Sequence, residues 1–224
     1  CLFAAEGLAR RNFPERSRSY IRTRALPHDT PAPSAHMRTT CPGLIFPART
    51  FSSSKIGIDA RLIAYREGGI AEYMRRLIEA IAVLDTSDYF TILDSRKASS
   101  QTALAANFAH VKMLTPCHHR VERLTLGLEI ARLRLDLLHS PDFIPPLFGA
   151  RRTVITIHDL NFLHYPQFQT PDSRRYYNGN IQAAVRKADH ILADSQATKA
   201  DLCHLLRVPA ERITVHPLGV DPMF

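Results

Sequence analysis

Residues 151–166 read RRTVITIHDLNFLHYP. Val154, Ile155 and Ile157 make a short β-branched run between polar residues. That is the pattern of a strand buried on both faces in a parallel sheet. The run stops at His158-Asp159. In an open α/β sheet, ligands sit outside the carboxyl ends of the strands. The titratable pair therefore stands where such a fold does its chemistry.

Upstream of this stretch, LDLLH (135–139) reads as another strand, and SPDFIPPLFG (140–149) as the loop at its end, since its prolines and glycine exclude regular structure. The loop is expected to wall the cleft beside His158. Downstream, Thr170 to Ala188 reads as a helix capped by Asp172 or Ser173, with Tyr176, Ile181, Ala184 and Val185 on its apolar side. Asp189–Asp194 reads as a strand, Ser195 as the N-cap of the helix QATKADLCHLL, and RITVH (212–216) as the last strand. For Ser195, capping stands beside a ligand-binding reading.

Towards the amino end, KIGIDA (55–60) reads as the first strand and RLIAYREGG (61–69) as a loop. In the next fifteen residues Ile70, Tyr73, Met74, Leu77, Ile78, Ile81 and Leu84 recur at helical spacing, an amphipathic helix of about four turns. Gly68-Gly69 thus lies between a strand and a helix N-terminus, where free N–H groups and a partial positive charge suit a phosphate. The pair is not a GxGxxG fingerprint, and a plain turn is the alternative. DYFTILD (88–94) and residues 110–114 read as strands, with Ser95–Ala109 helical between them. Val121, Leu124, Leu128, Ala131 and Leu135 mark a further helical stripe, interspersed with Arg120, Arg123, Arg132 and Arg134. Those arginines read as a solvated face, or as a basic face that docks on anionic lipid. The alternation of strands and helices from residue 55 onward predicts a Rossmann-like α/β fold, a parallel sheet with helices on both faces.

The chain of 224 residues is long enough for one sizeable α/β core. Its net charge is +8, of which residues 1–54, with eight arginines and three acids, hold +5. The basic balance belongs mainly to this leader and argues little for a nucleic-acid-binding core. The leader also holds six of the 15 prolines and no periodic apolar pattern, so it reads as a disordered extension. Deleting residues 1–50 is expected to leave the melting temperature unchanged; a large loss of thermal stability in that truncation contradicts the reading. Cys1, Cys41, Cys117 and Cys203 are scattered, without CxxC spacing, which suits a reducing, cytoplasmic setting. No apolar run reaches the length of a membrane span. Cys117-His118-His119 reads as a polar loop rather than a metal site, because adjacent residues do not readily close one coordination sphere. His158, Asp159 and His164 form an H-D-x4-H group that a metal phosphohydrolase would also show.

Three separated stretches in order resemble the N-terminal half of a GT-B glycosyltransferase of glycosyltransferase family 4. They are IGIDARLI with EGGIAEYMRRLIEAI, then HSPDFIPPLFGARRTVITIHDLNFLHYP, then ADHILADSQATKADLCHLLRVPAERITVHPLGVDPMF. Within the family, IHDL with the following YP is similar to bacterial enzymes that add mannose or related sugars to surface polysaccharides. The resemblance implies that residues 55–216 form the acceptor-side domain and that 217–224 begin an interdomain hinge. It implies sugar transfer with retention from a nucleotide sugar to a saccharide or lipid-linked acceptor, with no metal, no nucleic acid and a possible peripheral membrane contact at the inner face. It places Gly68 and Gly69 against the donor diphosphate and His158 near the transferred sugar. Asp159 is expected to orient that histidine or contact the acceptor. Ser195 matches the serine opening the following helix, and Gly219 the crossing into a second domain. That second domain supplies the basic pair and the E-x7-E glutamates, which this stretch lacks, so the chain alone is expected to be close to inactive. The competing reading is a non-catalytic glycan-binding module or a degenerate remnant.

Overall fold

The computed structural model describes residues 53–65, 68–98 and 104–219, all within one compact unit. The expectations for the leader up to residue 52, and for Val220 and Asp221, fall outside the described residues. In chain order the elements are β1 (Lys55–Asp59), α1 (Gly69–Leu84), β2 (Tyr89–Ser95), β3 (Phe108–Met113), α2 (Glu122–Ala131), β4 (Leu135–Ser140), β5 (Ala150–Ile157), α3 (Asn161–His164), α4 (Pro171–Lys187), β6 (His190–Ala193), α5 (Gln196–Leu206) and β7 (Ile213–Val215). The strands form one sheet in the order β3-β2-β1-β4-β5-β6-β7, and every neighbouring pair is parallel. The fold is the Rossmann-like α/β sheet that the alternation predicts. Strand order reverses between β1 and β4, the kind of switch point beside which open sheets bind ligands.

Helices lie on both faces. Ile78 of α1 packs on Ile58, Phe90 and Ile92. On the other face, Leu126 and Ile130 of α2 meet Leu93, Met113, Leu135 and Leu138. There too, Ile181, Ala184 and Val185 of α4 and Leu202 and Leu206 of α5 enclose Ile155, Ile157, Ile191 and Ile213. Ile155 and Ile157 of the β-branched run of β5 are therefore the floor of the largest cluster.

Three local expectations are corrected. No described residue of Ser95–Ala109 is helical: β2 continues through Ser95, and β3 begins at Phe108. Alanine and leucine give that stretch helix propensity, but Phe108 stacks on Phe90 with ring centroids 4.7 Å apart, and sheet packing overrides a weak local preference. The cap of α4 is Thr170, whose Oγ1 accepts from the Ser173 N–H at 3.2 Å, rather than Asp172 or Ser173. Pro171, with its φ preset for the first helical position, starts the helix earlier. The third correction concerns α2. Its buried stripe is Glu122, Leu126 and Ile130, whereas Val121, Leu124 and Leu128 are 49%, 48% and 59% exposed. Two apolar stripes share this helix, and the periodicity picked the outer one.

Candidate functional site

Strand register builds the site. Ile157 of β5 pairs with Ala193 of β6, and Ala193 pairs with Val215 of β7. The next residue on each strand is His158, Asp194 and His216, so one row of three polar groups lies along the carboxyl edge of the sheet. His158 Nδ1 is 2.6 Å from Asp194 Oδ2, and His158 Nε2 is 2.9 Å from the Pro141 carbonyl at the end of β4. A carboxylate and a carbonyl thus face the two ring nitrogens and fix the imidazole from both sides. Asp194 Oδ1 is buried without a hydrogen-bond partner, and His216 Nε2 stands 3.9 Å away.

The backbone of His158 is pinned as well. Thr198 Oγ1 donates to the His158 carbonyl at 3.0 Å, and Ser195 Oγ lies 2.9 Å from Thr198 Oγ1. Since the Thr198 proton is spent on His158, the Ser195 hydroxyl is the donor between the two. Ser195 Oγ also accepts the Thr198 N–H at 3.1 Å, the N-cap of α5. Ser195 thus caps its helix and steadies His158 through Thr198.

Tyr73 joins this edge to α1. Its ring meets His158 edge-on with centroids 5.1 Å apart and stacks on His216 at 5.7 Å. Its hydroxyl lies 3.3 Å from both Thr156 Oγ1 and His216 Nε2. Thr156 in turn meets His139 Nε2 at 2.9 Å, and burial pushes the His139 imidazole down to about 4. Tyr73 lies one helical turn beyond Gly69. Gly68 and Gly69 are exposed, with open space where a Cβ would stand, and no side chain caps the helix. The first free N–H groups of α1 therefore open at the same edge of the sheet as His158.

The hydrogen bond described for Asp159 is local. Its carboxylate accepts from the Asn161 N–H at 2.9 Å in the turn into α3, while Asp194, 36 residues away, takes the imidazole. The sheet points the imidazole towards Asp194 on the neighbouring strand. His164 pairs with Asp201 at 2.8 Å, so His158, Asp159 and His164 each go a different way and do not converge as an H-D-x4-H metal group. Among the described residues no three His, Cys, Asp or Glu side chains form a set that could hold a metal ion. Gly219 is exposed and is the last described residue.

A second polar cluster lies below the β1/β4 switch point. Arg61, 1% exposed, bonds Asp59 twice at 2.8 Å and Glu122 at 2.7 Å, and donates to the Thr115 carbonyl at 2.9 Å. Burial pushes the Glu122 carboxyl up, although Arg61 opposes the shift. Glu122 Oε2 accepts the His118 N–H at 2.6 Å, and His118 Nε2 meets Asp142 at 2.9 Å. The bond from Asp142 holds the His118 imidazole above its ordinary value. Cys117 lines the same small cavity, of about 20 Å³, and burial pushes its thiol up. This network ties the CHH loop to the loop that carries Pro141.

Asp194 and His216 were missed as site residues in the sequence, where they read only as strand ends. The available signal was that VITI, HILA and ITV are each followed at once by a polar titratable residue.

A model of glycosyltransferase family 4 matches residues 67–224. The chain belongs to glycosyltransferase family 4. It is similar to the O-antigen chain mannosyltransferase B of Escherichia coli, at 22% identity over 172 residues, which cover 70% of this chain and 45% of that protein. The chain thus spans less than half the length of this curated family relative. Among solved structures it is similar to a glycosyltransferase from Rickettsia africae, at 13% identity and a TM-score of 0.41, covering 76% of this chain and 44% of that one. It is also similar to an alpha-glucosyltransferase in complex with UDP and a 13-mer DNA containing a HMU base, at 14% identity and a TM-score of 0.39, covering 75% and 42%. Among the described residues, no helix of this family 4 chain is long and apolar enough to cross a membrane.

Proposed function

We propose that this chain supplies the acceptor-side domain of a retaining glycosyltransferase that moves a sugar, mannose in this reading, from a nucleotide sugar to a saccharide or lipid-linked acceptor. The supporting observation is the fixed imidazole of His158, joined through Tyr73 to a helix whose N-terminus is open at Gly68-Gly69. Such a helix end offers N–H donors and a partial positive charge to a leaving diphosphate, without a metal or other cofactor. Asp194 holds Nδ1 of His158, so Nε2 is the nitrogen that exchanges between the Pro141 carbonyl and a hydroxyl of the transferred sugar. His158 acts by holding the sugar in place, not as a nucleophile. Asp159 contacts the acceptor, Ser195 acts through Thr198 as a positioning residue, and Gly219 leads towards the donor-side domain.

The test is transfer by the longest natural polypeptide that carries residues 55–219, offered a panel of nucleotide sugars with mannose donors among them. The expected outcome is a product that keeps the donor's anomeric configuration, with a His158→Ala variant about 100-fold or more slower. Absence of transfer from every donor, or equal rates in the variant, contradicts the proposal.

A further inference from the structure

His118 keeps a backbone conformation that costs it free energy. Its φ is +59°, in the left-handed region that residues other than glycine, asparagine and aspartate seldom visit. A residue held there persists only where its surroundings over-determine it, and such residues cluster beside functional sites. Here the His118 N–H donates to Glu122 Oε2 at 2.6 Å, and Glu122 is itself fixed by Arg61 at 2.7 Å. The turn aims the His118 ring at the loop that follows β4, where Nε2 stands 2.9 Å from Asp142 Oδ2. Burial opposes charge on Asp142, yet the bond from His118 holds its carboxyl below the usual range. An ionised carboxylate only accepts, so His118 Nε2 is the donor.

Asp142 directly follows Pro141, whose carbonyl lies 2.9 Å from Nε2 of His158. Two covalently joined residues thus face two imidazoles. The side chain of one takes His118, and the carbonyl of the other meets His158. Asp142 Oδ1 also accepts the Phe143 N–H at 2.7 Å, and the Phe143 ring stacks on Phe162 of α3 with centroids 5.8 Å apart. The His118 side chain is 38% exposed, so as an ion pair alone its bond to Asp142 contributes little. Its effect comes from geometry. Glu122 has already fixed the His118 backbone, so the ring fixes the Asp142 end of the loop. Slack at that end moves the Pro141 carbonyl.

We propose that His118 is a positioning residue for sugar transfer: through Asp142 and the Pro141 carbonyl it sets where the His158 ring stands. This role rests on the glycosyltransferase reading. The charged groups that face the His118 ring are Asp142 from the loop after β4, Glu122 from α2 and Arg61 from the turn after β1, with the Tyr176 ring of α4 at 5.9 Å. The bond to Asp142 favours the protonated ring, burial and Arg61 oppose it, Glu122 adds to the first, and the imidazole lies above its ordinary value. The tie to Asp142 is therefore charge-assisted at low pH and weakens as pH rises through that raised value.

The test follows the His158 ring by NMR against pH in the full chain, and kcat against pH in the longest natural polypeptide that carries residues 55–219. The His158 ring is expected to show an inflection that coincides with the titration of His118. His118→Asn tolerates the left-handed turn but is too short to reach Asp142. It is expected to abolish that inflection and to lower kcat roughly tenfold at saturating substrates, with donor KM within about twofold of the parent's. Its melting curve shows that it is folded at the assay temperature. The parent's kcat is expected to fall as pH rises through the His118 titration. Asp142→Asn, which keeps an accepting oxygen without the charge, moves that limb to lower pH. His119→Asn, at the exposed neighbouring position, changes neither the inflection nor kcat. A His158 ring that does not respond to His118, a kcat in His118→Asn equal to the parent's, or a limb that Asp142→Asn leaves in place overturns the proposal. Failure of the parent to transfer sugar from any donor counts against the glycosyltransferase reading, and the response of the His158 ring then decides the positioning by itself.

Discussion

At the scale of single residues, the account turns on which carboxylate serves His158. Asp194 lies 2.6 Å from Nδ1, whereas Asp159 closes its own turn through Asn161. Removing the anchor of a substrate-positioning group displaces it by a fraction of an ångström or more, and such displacements cost about 100-fold in rate. Asp194→Ala is therefore expected to lower the transfer rate about 100-fold at saturating donor, with a melting curve close to the parent's. Asp159→Ala is expected to stay within about tenfold of the parent rate and to act mainly on acceptor KM. Steady-state kinetics on the two variants separates the roles. His158 was legible in the sequence because a β-branched run ends on it. Its partner was not, because Asp194 is 36 residues distant and becomes a neighbour only through the pairing of β5 with β6.

At the scale of elements, the loop before β5 is held against α2 by two glycines. Gly149 has φ +112°, a conformation that L side chains rarely adopt, and a Cβ there would stand 2.8 Å from the Gly127 carbonyl and would collide with Ile130. Neither backbone strain nor a clash with backbone is relieved by a rotamer change. Gly149→Ala is expected to cost about 2–4 kcal/mol of stability, read as a lower urea midpoint. A midpoint equal to the parent's contradicts this packing. Helix existence was legible from spacing in α1, α2 and α4, and from the Ser195 cap in α5. Which side of α2 faces inward was not, because Leu126 and Ile130 compete with Leu124 and Leu128 for the same periodicity, and the burial of Glu122 on Arg61 decides between them. Burying a carboxylate is a choice that no hydrophobic pattern announces.

At the scale of the whole molecule, two histidines set opposite limits on stability. The folded state holds the buried His139 at about 4, below its ordinary 6.5, so between those values the unfolded chain binds the extra proton. Stability is then expected to fall by about 2–4 kcal/mol as pH drops from 6.5 to 4. His118 is raised by its bond to Asp142, so its contribution is fully present below 6.5 and is lost as pH rises through the raised value. The two windows do not overlap, and urea denaturation across pH is expected to show an optimum near 6.5, with the acid limb flattened in His139→Asn. An unchanged acid limb in that variant contradicts the assignment to His139.

The parallel sheet and its helices on both faces were legible from alternation alone, because each buried strand carries its own apolar run. The convergence of Tyr73, His158, Asp194 and His216 was not, since it depends on how elements far apart in the chain stack in the sheet. The central claim, and a proposal, is that this cluster and the Gly68-Gly69 amides serve one ligand. It is tested most directly by titrating a nucleotide sugar into isotope-labelled protein and following the Gly68 and Gly69 amides together with the His158 ring by NMR. The expected result is that all three respond along one binding curve. Saturable shifts at the glycines with a silent His158 ring, or the reverse, would contradict it.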